Sequence, residues 1–518
     1  MRKLGSFLVF SSFFLFAGCA SATTYYISFS SGSNSNNGTS ESTPWKSHPY
    51  MQTKSGCTGT GSAPNYNHSA GDQFVFKQGD SWPNACFDMV IQNSGASGNP
   101  DVYTFDPTWG TAGGTTGNLG QPVGVYQFNA GGAVINGSDN LNTFIRAEGL
   151  SYITLNGMEF TGFTWSTNTN SGNGPIVDVG VSSYIVVSNF WMHAWTHPGA
   201  SSDLVTGVNA STGANQGIGI RVTGGVFDGL NSGGSGVSDS GSGTFGVQIV
   251  DNTIFRNAAN GINSNMNAII HDNLIGPITQ SFDSSVHENC IEPTSMPAGL
   301  ASTILIYNNV VHDCTAVALL TQGAPPSSGW EIDYIWNNVF YIGTMSNPPI
   351  PMQFAALSSS NSNSQVHAWN NTIYAGSSQV CFRTPVGSGN FGVLDLQNNL
   401  CISDAGLIAI VQTGNTYTNN NNVLMGTSAA ASQGFTSSGQ YAYAPTASTN
   451  GTVGAGVNLA SLATGNFATL LKDTTYAGTR TTLSRPSGAW DVGAYQYGAS
   501  STSGTPTPPT NVKVLVVQ

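Results

Sequence analysis

The stretch VQIVDNTIF, residues 247–255, contains the pattern on which the fold turns. A short run of apolar and polar residues with the period of a strand is halted by Asp-Asn, and apolar residues follow at once. The same arrangement recurs as YITLNGMEF (152–160), IVVSNFWM (185–192), IRVTGGVF (220–227) and AIIHDNLI (268–275). It continues through ILIYNNVV (304–311), YIWNNVFY (334–341), VHAWNNTIY (366–374), LDLQNNLCI (394–402) and YTNNNNVL (417–424). Aligning the second Asn gives Asn189, Asn252, Asn273, Asn309, Asn338, Asn371, Asn399 and Asn422, with Gly157 and Gly225 in the equivalent places. The shortest step, Asn252 to Asn273, is 21 residues and the longest is 36. Short strands repeating at that period mean a solenoid. An Asn amide both donates and accepts, so a column of Asn can hydrogen-bond along the stack, and Asn tolerates the left-handed backbone of a sharp corner.

A second strand recurs upstream of these runs: FIRAE (144–148), IVDVG (176–180), NGINS (260–264), NCIEP (289–293), AVALL (316–320), VCFRT (380–384) and GLIAI (406–410). Each coil therefore has at least two strands and two corners. Gly- and Ser-rich stretches such as 231–246 are expected to leave one corner as loops of variable length.

The chain ends carry a resemblance. TYYISFSSGSNSNNGTSESTPWKS (24–47), AGDQFVFKQGDSW (70–82) and WDVGAYQYG (490–498) resemble the opening and closing segments of secreted bacterial β-helix proteins. These belong to the pectin-lyase-like (pectate lyase) superfamily. The resemblance implies an all-β fold, a single-stranded right-handed parallel β-helix of about ten or more coils. It also implies export and a carbohydrate-active role. It does not select a reaction, because this fold carries lyases, hydrolases, epimerases and inert surface proteins. The expected organisation is an export signal at 1–22, an N-terminal cap and first strands at 23–130, the β-helix at 131–498 and a Ser/Thr/Pro-rich tail at 499–518.

Composition narrows the rest. Only 7% of the 518 residues are charged, and the formal net charge is −12. Phosphate binding needs clustered Lys and Arg, so a nucleic-acid partner is excluded. No Lys lies between Lys77 and Lys472, and Arg146, Arg221, Arg256 and Arg383 are the only arginines there. The N-terminus, MRK followed by LGSFLVFSSFFLFAG, reads as a signal too short to span a membrane comfortably. FAGC (16–19) resembles a lipobox, which would make Cys19 a lipid-bearing outer-membrane anchor. ASA (20–22) fits cleavage before Thr23 and free secretion. Either route leads out of the cytoplasm, and a monomer is expected. The six other cysteines fall in sequence pairs, Cys57 with Cys86, Cys290 with Cys314 and Cys381 with Cys401, as expected of disulfides in an oxidising compartment.

The chemistry is expected around SSVHENCIEPTSM, residues 284–296. His287, Glu288 and Glu292 cluster there, Asp283 precedes them, Arg256 lies in the coil before, and His312 and Asp313 lie in the coil after. Glu292 and Glu288 are candidate carboxyl catalysts or metal ligands, with His287 as proton carrier, Arg256 as substrate clamp and Asp313 beside them. The same residues also suit a decorated turn beside a disulfide. Glu292 aligns with an outward column of Arg146, Asp178, Asn209, Asn263, Gln353 and Arg383, as a groove for a sugar chain would need. His312 and Trp195, the latter in NFWMHAWTHPG (189–199), are further candidates for polysaccharide contact. A Ca²⁺ on Asp283, Glu288 and Asp313 fits hard oxygen ligands. β-Elimination on a uronate needs a base and a cation to neutralise the carboxylate, and Lys is absent from the coils. Hydrolysis needs two carboxyl groups. A non-catalytic glycan-binding or adhesion scaffold stands as the alternative.

Overall fold

The computed structural model describes residues 22–498, except 53–56, 58–61, 112–133, 142, 164–173, 194, 196–204, 211–217, 230–240, 265–266, 279–287, 294–300, 322–328, 343–348, 355–360, 385–390, 410–415, 437–442, 463–465 and 477–480. The export signal with Cys19, the tail after residue 498, Asp283 and His287 lie outside the described residues.

All but the first and last coils contribute three strands, one to each of three parallel sheets. Sheet I has 13 strands, from Thr24–Ile27 to Thr416–Asn420. Sheet II has 12, from Ser81–Pro83 to Val423–Met425, and sheet III has 11, from Met89–Val90 to Ile408–Ala409. The path runs I, II, III and back to I, a right-handed parallel β-helix, the hand that parallel connections take. Inward residues fill the shaft with Ile, Val, Leu and Phe in a continuous buried cluster. The pairing places the first sheet strands at Thr24, inside the expected cap region, and the last at Met425.

The corner from sheet I to sheet II separates two tasks that the repeat pattern had merged. Its first residue is left-handed: Asn189, Asn252, Asp272, Asn308, Asn337, Asn370, Asn398 and Asn421 have φ between 49° and 56°. Gly157 and Gly224 adopt the same region. Its second residue points inward. There the amides of Asn273, Asn309, Asn338, Asn371, Asn399 and Asn422 form a ladder, each Nδ2 donating to the next Oδ1 at 2.8–3.0 Å. The other amide hydrogen goes to a backbone carbonyl, as from Asn309 to Ile270 at 2.9 Å. Each Oδ1 also accepts a backbone N–H, as Asn338 does from Asn309 at 3.0 Å. Asn189, Asn252 and Gly157 therefore belong to the first position, one residue away from their expected alignment. Met158, Phe190 and Thr253 follow them at the ladder position. Identity alone could not show this, because Asn serves both positions.

After the last coil the chain turns back as a strap containing helices at Thr427–Ala431 and Asn466–Lys472. Leu459, Leu471 and Trp490 pack on Tyr307, Trp336 and Trp369 of sheet I. Ala444, Ala494 and Tyr495 cluster with Val226, Ile254, Leu274, Val310 and Val339 of sheet II. The outward amides of the first-position Asn hold the strap between them. Asn337 donates to the Asp473 carbonyl at 3.2 Å, Asn370 to that of Asp491 at 2.9 Å and Asn398 to that of Val457 at 2.8 Å. Buried Arg485 donates back to Asn337 Oδ1 at 2.9 Å. Among the described residues the strap's hydrophobic clusters involve the outer faces of sheets I and II only.

Chain length also varies at both borders of sheet III, rather than at one corner. The II–III connection is as short as residues 257–259 in one coil and covers 276–290 in the next. The III–I connection ranges from residues 246–248 to 210–220. Three disulfides, Cys57–Cys86, Cys290–Cys314 and Cys381–Cys401, join the neighbours expected from sequence order. They fit an oxidising, extracytoplasmic compartment.

Two predictions follow from the shaft. Asn338→Ala leaves buried donors and acceptors on both neighbouring coils unmet and should cost about 3 kcal/mol or more in chemical denaturation; an effect near zero would remove the ladder from the account of stability. Glu331 and Asp333 point into the core on the strand Trp330–Trp336. Burial, and then neighbouring Glu331, pushes the Asp333 carboxyl well above its usual range. The unfolded chain loses this proton near pH 4 while the fold keeps it, so stability declines as pH rises from about 4 toward the raised folded value. Asp333→Asn should raise the melting temperature at pH 8 and change it little at pH 4; equal shifts at both would contradict this.

Candidate functional site

Strand register on sheet III builds one outward column. In coil order it holds Val90, Arg146, Asp178, Asn209, Asn263, Glu292, Leu320, Gln353, Arg383 and Ala409, with the backbone of residue 245 paired between Asn209 and Asn263. Paired strands lie about 4.8 Å apart, so Arg146 to Arg383 spans roughly 38 Å. Alternation puts Ile145, Val177, Val208, Ile262 and Ile291 in the shaft, leaving the polar residues outside. The strap's hydrophobic clusters lie on parts of the outer faces of sheets I and II, and among the described residues none of them reaches this column.

One end of the column carries a compact charged group. Arg146 Nε donates to Asp88 Oδ2 at 2.8 Å, and its Nη1 reaches Glu148 Oε1 at 3.4 Å. Asn209 Nδ2 donates to Asp178 Oδ1 at 3.1 Å. Asp178 is also hydrogen-bonded to Glu148. Partial burial, then the bond to Glu148 and its like charge, pushes the Asp178 carboxyl up to about 6. Asp178 thus keeps its proton up to about pH 6, as one of two adjacent carboxyls does when both cannot readily ionise. Sequence reading found Asp178 and Arg146 in the column but missed Glu148 and Asp88 as their partners. The available signal was Glu148 two residues after Arg146, on the same side of an alternating run.

Farther along, Glu292 is half-buried and accepts from Asn289 Nδ2 at 2.8 Å. It lies four strands from Asp178, roughly 19 Å at normal strand spacing. Glu288 stands at the II–III corner, its carbonyl accepting from Ala316 N at 3.2 Å. The other expected members face elsewhere. Arg256 lies on sheet II with its Nε on Asp228 Oδ2 at 2.7 Å, an ion pair between neighbouring strands of that sheet. His312, also on sheet II, is buried with Nδ1 3.0 Å from Asp313 Oδ2. Trp195 is fully buried and stacked on Phe227 at 4.4 Å, which corrects its expected role: it packs the core and cannot stack on a sugar. Glu292 is therefore separated from Arg256 and His312 by a corner that turns the outward direction.

Of the expected Ca²⁺ ligands, Asp313 bonds His312 and Asp283 lies outside the described residues. Among the described residues no three His, Cys, Asp or Glu side chains group as a metal site.

No protein-family model matches the chain, and no curated protein matches it. Similar solved structures include pectate lyase Pel9A, 13% identical, TM-score 0.43, covering 92% of this chain and 97% of that one. Another is the GH136 lacto-N-biosidase from Eubacterium ramulus, 12% identical, TM-score 0.39, covering 75% and 68%. A third is PfbA, a surface adhesin of Streptococcus pneumoniae, 11% identical, TM-score 0.33, covering 67% and 84%.

The shared proton is directly testable. Glu148→Gln removes the like charge beside Asp178, so Asp178 should release its proton at lower pH than the wild-type value of about 6. Infrared difference spectra across a pH series, with Asp178→Asn as the blank, would show it. An unmoved titration would dissolve the pair.

Proposed function

We propose that the protein binds an extracellular polysaccharide along the outer face of sheet III and cleaves it by hydrolysis. The observation that carries this reading is the Asp178–Glu148 pair, an acid holding its proton up to about pH 6 on a mostly polar outer face. Protonated Asp178 delivers its proton to the glycosidic oxygen as the bond breaks, a role that requires such a raised value. Hydrolysis needs a second carboxyl to activate water. Glu148 is hydrogen-bonded to Asp178 and is too close to stand across a sugar from it. Asp88, the remaining carboxylate of the group, is buried beneath its 2.8 Å ion pair with Arg146 and positions that arginine rather than a water. The amides of Asn209 and Asn263, with Gln353 and Glu292 beyond, hold the flanking sugars. Arg383 closes the far end.

β-Elimination is the weaker alternative. It needs a base of high proton affinity and a cation against the uronate carboxylate, and here the arginine beside the acid pair is already bound to Asp88. A scaffold reading is favoured by the length of the amide column, which extends far beyond one linkage. Residues 1–22 would export the chain, as a monomer, with Cys19 lipid-anchored or cleavage before Thr23. Calcium at Asp283, Glu288 and Asp313 would then act on loop order rather than on the bond.

The test is turnover of neutral and uronic polysaccharides by the purified mature chain, with Ca²⁺ or chelator. New reducing ends without ultraviolet absorbance of unsaturated uronates are expected. Activity should fall as pH rises through about 6, because Asp178 must be protonated. Asp178→Asn should lower the rate by about 10²–10⁴-fold. Unsaturated products would mean a lyase, and retained binding without products a scaffold.

A further inference from the structure

Building on the sheet III face as the binding surface, we infer that its ligand is an uncharged polysaccharide read by side-chain amides, and that polyuronates and other polyanions are excluded.

The charge inventory carries the first half. Four arginines and no lysine lie between Lys77 and Lys472. Arg221 sits on sheet I, its Nε 2.9 Å from Asp251 Oδ1 and its Nη2 on the other carboxylate oxygen. Arg256 sits on sheet II against Asp228. Arg146 is on the binding face but spans Asp88 and Glu148. That leaves Arg383, exposed at the end of the column. From Asp178 to Gln353 the column has no cation. The connecting segments on both borders of sheet III, from 164–173 to 410–415, contain no Lys or Arg, whereas Asp203, Asp239 and Asp283 fall within them. A uronate chain on this face would bring one carboxylate per sugar against Asp178 and Glu292 with no counter-charge. Partly desolvated like charges repel strongly, and the overall −12 adds a long-range barrier.

The amides carry the second half. The side-chain amides of Asn263 and Gln353 each carry donor and acceptor groups, the complement of a sugar hydroxyl, which also does both. Asn263 Oδ1 is buried and has no hydrogen-bond partner among the described residues. A buried acceptor in that state calls for a donor. A hydroxyl supplies one and a carboxylate does not.

The experiment uses the full mature chain carrying Asp178→Asn, so that turnover does not erase binding. Affinity electrophoresis would be run through gels containing xylan, mannan, galactan or mixed-linkage glucan, and through polygalacturonate or alginate, each with Ca²⁺ or with chelator. Retardation on a neutral glycan is expected, indifferent to Ca²⁺, with none on the polyuronates. Adding Asn263→Ala should weaken it about tenfold, the effect of one hydrogen bond of roughly 1.4 kcal/mol. Gln353→Ala, at an outward position, serves as a second variant if Asn263→Ala melts early. Retardation on polyuronates that these variants weaken would overturn the ligand class and leave sheet III as the binding face. Retardation that neither variant changes would overturn the face itself. No retardation on any gel would overturn both.

Discussion

The corner between sheets I and II governs this protein. A solenoid coil must reverse direction within two residues, and the backbone and side chain placed inside that corner are shut off from water. The inward Asn meets the demand from both sides, accepting from the coil before and donating to the coil after. A buried amide with every group paired is stable; with one neighbour removed it is a liability. From Asn273 to Asn422 the ladder therefore ties each coil's register to the next; in the earlier coils the parallel pairing of the strands alone lines up the outward positions.

The residue before it, left-handed and outward, has a separate consequence. Its amide is available on the surface, and the returning strap uses it at Asn337, Asn370 and Asn398. The strap covers aromatic and aliphatic residues on two outer faces that would otherwise be exposed apolar surface. Sheet III has no comparable apolar stripe. Its outward column is polar or charged in most coils, and chain length accumulates at both of its borders. The corner pattern draws the strap to the outer faces of sheets I and II and away from the sheet III column.

On that face, charge is used sparingly and locally. The arginines on the other sheets are each neutralised by an aspartate on a neighbouring strand, Arg221 by Asp251 and Arg256 by Asp228. Sequence crowding around residue 288 suggested a catalytic cluster, yet residues close in sequence here straddle a corner. Arg256 and His312 point out from sheet II and Glu292 from sheet III. The Asp178–Glu148 pair, by contrast, joins residues of adjacent coils that no local window brings together. Its perturbed acid comes from partial burial and a like-charged neighbour, neither of which has a sequence motif.

The sequence by itself determined the coil. Period-two strands, the Asn corners, the paired cysteines and the absence of lysine are all local or compositional, and each has one physical meaning at its place in the repeat. It also contained the outward column of Arg146, Asp178, Asn209, Asn263, Glu292, Gln353 and Arg383, because a rigid repeat converts spacing into position. Tertiary structure decided which Asn turns and which Asn pairs, since the two positions use the same residue for different reasons. It decided that Trp195 is core, because only the coil's interior shows which way that side chain turns. It also decided which carboxyls share a proton, because that depends on contacts between coils and on exclusion of water, and neither is a property of any single stretch of chain.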